Sequence, residues 1–149
     1  MFKTSACIAL VAVLCVLVVV LQPSLSGTEK EGEKGGAVKE RYFEMRTYTA
    51  APGKLDALHA RFRDHTNKLF QKHGMTLIGY WTPAEGETSK NTLVYILAYP
   101  DKEAREKAWK AFQDDSDWKK AKAESETGGP LVTKVESMFL KPTDYSPIK

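Results

Sequence analysis

Met75-Thr76-Leu77-Ile78-Gly79-Tyr80-Trp81-Thr82 and Thr92-Leu93-Val94-Tyr95-Ile96-Leu97-Ala98-Tyr99 are two runs of β-branched, aromatic and aliphatic residues, joined by a polar segment from Pro83 to Asn91. Runs of this composition between turn residues predict two strands. Strict alternation sets Leu77 and Trp81 against Ile78 and Tyr80, and Val94 and Ile96 against Tyr95 and Leu97. Both faces are therefore apolar or aromatic. A face left in water should read polar. The pair predicts a sheet covered on both sides, and the rest of the fold follows from what does the covering.

Upstream, Tyr42-Phe43-Glu44-Met45-Arg46-Thr47-Tyr48 reads as a further strand, and Ala51-Pro52-Gly53 ends it. From Leu55 the period becomes helical. Steps of about 100° place Leu55, Leu58, Phe62, Leu69 and Phe70 in one arc, with Asp56, Arg61, Arg63, Asp64, Lys68 and Lys72 outside it. Gly74 fits the residue just past the helix end. Downstream, Pro100-Asp101 opens a helix through Phe112, with Asp101 as its N-cap and Ala108, Trp109 and Phe112 on one side. Asp114-Asp115-Ser116-Asp117-Trp118 starts a short helical piece, Gly128-Gly129-Pro130 breaks it, and Leu131 to Leu140 alternates as a last strand. The order β-α-β-β-α-β is the ferredoxin-like arrangement of an α+β domain. Its two helices cover one face of the sheet. The chain has nothing left for the other, so a second copy is expected there as a homodimer.

The first 26 of the 149 residues carry one charge, Lys3, followed by an apolar run to Leu21. Gln22-Pro23-Ser24-Leu25-Ser26 then supplies a helix break and small residues at the −3 and −1 positions of a cut after Ser26. Residues 1–26 read as a signal peptide, with an uncleaved membrane anchor as the alternative. Either reading takes the rest of the chain out of the cytoplasm, to a secreted or periplasmic location. Both cysteines, Cys7 and Cys15, lie in this segment, so a mature chain has no disulfide, Cys metal ligand or Cys nucleophile. Residues 27–40 are Gly-rich with alternating charge and read as a flexible spacer. A folded domain over residues 41–149 remains. The whole chain has 22 basic and 19 acidic residues, and the leader removes one lysine. A balance so near neutral, with no Lys/Arg run, gives no footprint for nucleic acid.

Several landmarks together resemble the NIPSNAP domain: the strand Tyr42 to Tyr48, Ala51-Pro52-Gly53-Lys54-Leu55, Lys72-His73-Gly74, Gly79-Tyr80-Trp81, and the aspartate-rich turn before Trp118. The ending Glu136-Ser137-Met138-Phe139-Leu140-Lys141-Pro142 with Ser146-Pro147 belongs to the same set. The resemblance runs from about Arg41 to Lys149 and implies a dimeric α+β barrel. It implies no catalytic residue set. Animal members are associated with mitochondria, vesicle traffic and mitophagy signalling, and the export signal sets this chain apart from them. Related dimeric barrels include cofactor-free monooxygenases and haem-handling enzymes, an analogy of fold alone.

His59, Thr66 and His73 fall in the apolar arc of the first helix at seven-residue spacing, with His65 on its edge. Imidazole near neutral pH serves as base, acid or ligand, so His59 and His65 are candidates for a pocket between helix and sheet. The plain alternative is a core His59 bonded to a backbone carbonyl or to a strand residue such as Glu44, with His73 at the helix C-terminus favouring the dipole. Glu44 and Arg46 share a strand face with Tyr42 and Tyr48. Facing into the barrel, they would orient a small polar ligand; otherwise they form an ion pair that fixes register. Tyr80 and Trp81, with Tyr95, Tyr99, Trp109, Phe112 and Trp118, either line a hydrophobic ligand pocket or form the core. The ligand-binding candidates are thus Glu44, Arg46, His59, Thr66, Tyr80 and Trp81.

No His pair has the i, i+4 spacing of a helical zinc site, Asp114-Asp115-Ser116-Asp117 lacks the rest of a calcium loop, and no cofactor is expected. G-x-S-x-G, H-E-x-x-H and phosphate-binding glycine loops are missing, which removes the readily recognised hydrolases, NTPases and dinucleotide enzymes. The reading is an exported homodimer that binds a small, hydrophobic or aromatic ligand or a protein partner. The alternative is a cofactor-poor monooxygenase or isomerase with His59 or His65 as base and Arg46 stabilising negative charge.

Overall fold

The computed structural model describes residues 40–149; the expected leader, and the spacer up to residue 39, lie outside the described residues. The domain begins with β1 (Tyr42–Ala50), then α1 (Leu55–Arg61), a π-helical turn (Phe62–Thr66) and α2 (Asn67–Lys72). β2 (Thr76–Trp81), a 3₁₀ turn (Glu87–Lys90) and β3 (Thr92–Tyr99) follow, then α3 (Lys102–Asp114), α4 (Ser116–Ser125) and β4 (Val132–Leu140). The strands form one antiparallel sheet in the order β2-β3-β1-β4. This is the ferredoxin-like α+β topology that the element order predicts.

Local chemistry accounts for the element ends. Asp101 caps α3, its carboxylate accepting from the Ala104 N–H at 2.8 Å. Asp115 caps α4 and accepts from the Asp117 N–H at 2.7 Å, so the aspartate-rich turn is a helix start. Gly74 leaves α2 at φ 78°, which lets the Met75 N–H reach back to the Phe70 carbonyl at 3.0 Å.

One face of the sheet carries Glu44, Arg46 and Tyr48 of β1 beside Leu93, Tyr95, Leu97 and Tyr99 of β3. The helices pack here. Leu58, Phe62 and Phe70 from the first helical stretch and Trp109 and Phe112 from α3 complete a core with Tyr95, Leu97 and Tyr99. Burying such a side chain contributes about 1.5–3 kcal/mol, and the rings meet mostly edge to face, as with Phe62 and Tyr95 at 5.2 Å.

β2 departs from simple alternation. The register shifts between Leu77 and Gly79, so Leu77 pairs with Leu97 and Tyr80 with Tyr95, while Trp81 pairs with Val94. The extra residue, Ile78, reverses the phase of the strand. Leu77 and Tyr80 therefore share the helix-covered face, and Trp81 stands on the other. Strict alternation predicts Leu77 on one face with Trp81, and the bulge separates them.

The uncovered face presents Met45, Val94, Ile96, Trp81 and Met138, with Trp81 51% and Met138 55% exposed. The last residues fold over one end of it, where Ile148 joins Phe43, Ile78 and Ile96 around a groove. The Arg41 Nε–H ties the Lys149 carbonyl down at 2.6 Å.

Candidate functional site

Glu44 is wholly buried under α3 and accepts hydrogen bonds from four side chains. Arg46 Nη1 donates to Oε1 at 2.7 Å, and Arg105 forks across both oxygens, Nη2 to Oε1 at 2.8 Å and Nε to Oε2 at 2.9 Å. The Tyr99 hydroxyl donates to Oε2 at 3.2 Å; the Trp109 indole N–H lies 2.9 Å from Oε2 and 2.8 Å from the Tyr99 oxygen. Burial alone would favour the neutral acid, but the hydrogen bonds and charges of Arg105 and Arg46 prevail and hold the carboxyl below its ordinary value. The Glu44–Arg46 face looks toward the helices and away from any barrel interior. Glu44 itself is a post on which two arginines, a tyrosine and a tryptophan are set.

Arg46 is half in this network and half in a cleft. Its guanidinium lies 4.2 Å from the Trp109 ring centroid and 5.6 Å from that of Tyr48. The cleft, about 560 Å³, opens between β1, β4 and the helices. Tyr48, Phe62, Phe70, Trp109, Phe112 and Trp118 give it aromatic walls. Arg61 forms a second cationic wall, donating from Nη1 to Glu126 Oε1 at 2.8 Å and to Ser125 Oγ at 3.3 Å, with its guanidinium 5.3 Å from the Trp118 ring. Lys119 and Lys122, both exposed, stand at the rim.

The π-helical turn Phe62–Thr66 places Arg61 and Thr66 beside the cleft. A π turn takes in one extra residue, and the Thr66 hydroxyl donates to the Arg61 carbonyl at 3.2 Å. Arg61, which falls outside the apolar arc on a regular wheel, is 5% exposed. Its burial is met by Glu126, Ser125 and Trp118, all on or beside α4.

A second, shallower depression of about 480 Å³ lies at the β2 edge, lined by His59, Phe62, Arg63, Asn67, Tyr80, Trp81, Thr82 and Leu93. The sequence candidates therefore separate. Arg46 and Thr66 line the first cleft, with Glu44 behind it, whereas His59, Tyr80 and Trp81 line the depression. His65 is exposed and lines neither. His59 is half-buried and has no hydrogen bond to Glu44, whose oxygens are taken by Arg46, Arg105, Trp109 and Tyr99. His59 and Arg46 do not share a pocket, so the base-plus-arginine pairing of the enzyme alternative is not assembled.

His73 ends the first helical stretch as expected but also meets Asp115 Oδ2 at 2.7 Å. Asp115 takes Lys72 Nζ at 2.8 Å as well. Hydrogen bonds from Lys72 first, then His73, hold its carboxyl well below the usual range. Burial raises the Tyr80, Tyr95 and Tyr99 phenols above their ordinary values, so none is a tyrosinate near neutral pH. Among the described residues no group of His, Asp, Glu or Cys is gathered to hold a metal ion.

Sequence reasoning missed Arg61, Arg105, Lys119, Lys122 and Glu126. The Glu44-x-Arg46 pattern announces an ion pair, but nothing local announces Arg105, whose partner is 61 residues away.

The NIPSNAP family model matches residues 43–147. A NIPSNAP family protein of unknown function from Agrobacterium tumefaciens is 22% identical with a TM-score of 0.65, over 74% of this chain and 96% of that one. An uncharacterized NIPSNAP domain protein from Burkholderia xenovorans is 26% identical with a TM-score of 0.61, over 71% of this chain and 98% of that one. A monooxygenase from Streptomyces coelicolor, in complex with the ligand nanaomycin D, is 11% identical with a TM-score of 0.50, over 74% of this chain and 95% of that one. No curated protein matches the chain.

Proposed function

The chain belongs to the NIPSNAP family, and on that premise we propose that it is an exported homodimer that binds a small, largely apolar ligand in the helix-side cleft. The observation that carries this reading is the cleft itself: about 560 Å³, open to solvent at the edge of the helix–sheet layer and reaching down to six aromatic rings. Ligand sites are concave, mostly apolar and set with a few polar groups. Arg46, Arg61 and Glu126 are those groups here.

Binding is favoured over catalysis by the placement of the bases. The cleft holds arginines, lysines and one carboxylate, Glu126, already engaged by Arg61. The imidazole that an oxygenase or isomerase would use as base, His59, lies in the other depression. Likeness to the monooxygenase reaches the fold and no further.

The homodimer rests on the uncovered apolar face. Trp81 and Met138, each about half exposed beside Ile96 and Val94, make a patch that a second copy would cover. Light scattering at micromolar concentration is expected to return a dimer, and a persistent monomer would contradict it. Export rests on the amino-terminal segment, and the mature chain is expected to begin at Gly27.

The test of binding is a thermal-shift screen of small aromatic compounds. Some are expected to raise the melting temperature of the wild type in a dose-dependent way and to lose that effect in Trp118→Ala, which removes one wall. A panel with no such compound, or hits indifferent to Trp118→Ala, would overturn the assignment of the cleft.

A further inference from the structure

The cleft is strongly cationic as well as aromatic. Arg46, Arg61, Lys119 and Lys122 line it, against a single carboxylate, Glu126; Lys134 of β4 turns to the other face of the sheet, where it pairs with Glu136 at 2.9 Å. The imbalance extends below the surface, because the one carboxylate of Glu44 serves both Arg46 and Arg105 and leaves the buried network with an excess positive charge. A cation enclosed by aromatic rings, without a full complement of anions, is costly to keep.

Both cleft guanidiniums have unused donors. Each spends Nη1 on a carboxylate, Arg46 on Glu44 and Arg61 on Glu126, and each has an Nε–H that is buried without a hydrogen-bond partner. The Nε groups are covered, so they do not meet a ligand directly. Nη2 of each makes no hydrogen bond among the described residues and is not among the buried atoms that lack one. It is the group free to meet a visitor. A guanidinium N–H makes a strong charge-assisted hydrogen bond to an oxyanion, and one free Nη2 on each arginine suffices for that. The faces of Trp109, Tyr48 and Trp118 flank the same two arginines.

Resting on the reading of the cleft as a ligand site, we propose that its ligand class is a planar aromatic acid, whose anionic group meets Arg46 and Arg61 and whose ring lies among Trp109, Phe112 and Trp118. The exposed lysines of α4, Lys119 and Lys122, attract the anion and do not fix its pose.

The probe pair is 2-naphthoate and its neutral isostere 2-naphthamide, titrated into the full domain and followed by quenching of tryptophan fluorescence. The acid is expected to bind more tightly than the amide by on the order of tenfold or more, the scale of a hydrogen bond to a charged group. That preference is expected to vanish in Arg46→Gln and to shrink with added salt. Arg46 also anchors Glu44, so a second variant guards against misfolding. Lys119→Gln with Lys122→Gln alters two exposed side chains and is expected to weaken the acid by about threefold with the amide unchanged. Equal binding of acid and amide would refute the anion preference and leave the cleft standing as a ligand site. Binding of neither probe would remove the cleft reading, and this inference with it. Acid binding that is unchanged in both variants would place the acid elsewhere on the protein and refute the proposal.

Discussion

Glu44→Gln preserves the size of the buried side chain and removes its charge. Arg46 and Arg105, 13% and 21% exposed, would then share an uncharged amide. The amide also cannot satisfy its neighbours, because Arg46 and Arg105 donate to one oxygen while Arg105, Tyr99 and Trp109 crowd the other. Whichever way it turns, its NH₂ meets donors. Removing one partner of a buried ion pair costs about 3–5 kcal/mol, and the residual exposure of the arginines places this case near about 3 kcal/mol. At about 4 °C per kcal/mol for a domain of this size, the melting temperature should fall by about 12 °C. Urea unfolding at pH 7, with both proteins at equal concentration, should show an earlier midpoint and an unchanged slope. The folded pKa of Glu44 lies below its unfolded value. Its contribution is therefore complete above the unfolded pKa of about 4.3 and is lost as pH falls through the folded value. The gap between wild type and variant should accordingly narrow in acid. A variant within about 2 °C of wild type at pH 7 would refute the claim that this network holds α3 on β1.

Asp115→Ala removes the α4 cap and the anchor shared by Lys72 and His73, so amide exchange in α4 should quicken while that of β1 and β3 stays protected. Ile96→Glu puts a charge on the uncovered sheet face and should convert the proposed dimer to monomer or aggregate in light scattering, whereas the neighbouring Leu97 is wholly buried beneath the helices, so Leu97→Glu would test the core instead. His65→Gln should leave the unfolding free energy within about 0.5 kcal/mol of wild type, as for a surface change, and a larger loss would show a contact that its exposure does not suggest. In Gly79→Ala the new methyl would come within 2.6 Å of the Trp81 ring, which is half exposed and free to swing. A shift in Trp81 emission with little loss of stability is expected, and a collapse in stability would show the ring to be pinned.

The element order and most boundaries are legible in the sequence because each rests on local chemistry. Asp101, Gly74 and Asp115 act where their side chains or φ angles require. Two features escape periodicity because each inserts a residue: the bulge at Ile78 reverses which faces Leu77 and Trp81 share, and the π turn Phe62–Thr66 interrupts the regular helix. The site was half visible. Glu44, Arg46 and Thr66 stand out as polar residues on apolar faces, whereas Arg61 and Arg105 look like ordinary solvated helix cations until α4 and β1 supply their partners. The histidines offer acid–base chemistry by residue type, but type alone does not bring a side chain to the cleft: His59 lines the depression at the β2 edge and His65 neither cavity.

The three tryptophans offer the most direct measurement. Trp109 and Trp118 line the cleft, and Trp81 lines the depression at the β2 edge. In a ¹H–¹⁵N spectrum of the labelled domain, each gives one indole N–H signal, assignable by substitution. On titration with 2-naphthoate, the Trp109 and Trp118 signals should move together with one dissociation constant while that of Trp81 stays in place. Movement of Trp81 alone, or of none of the three, would contradict the assignment of the helix-side cleft as the ligand site.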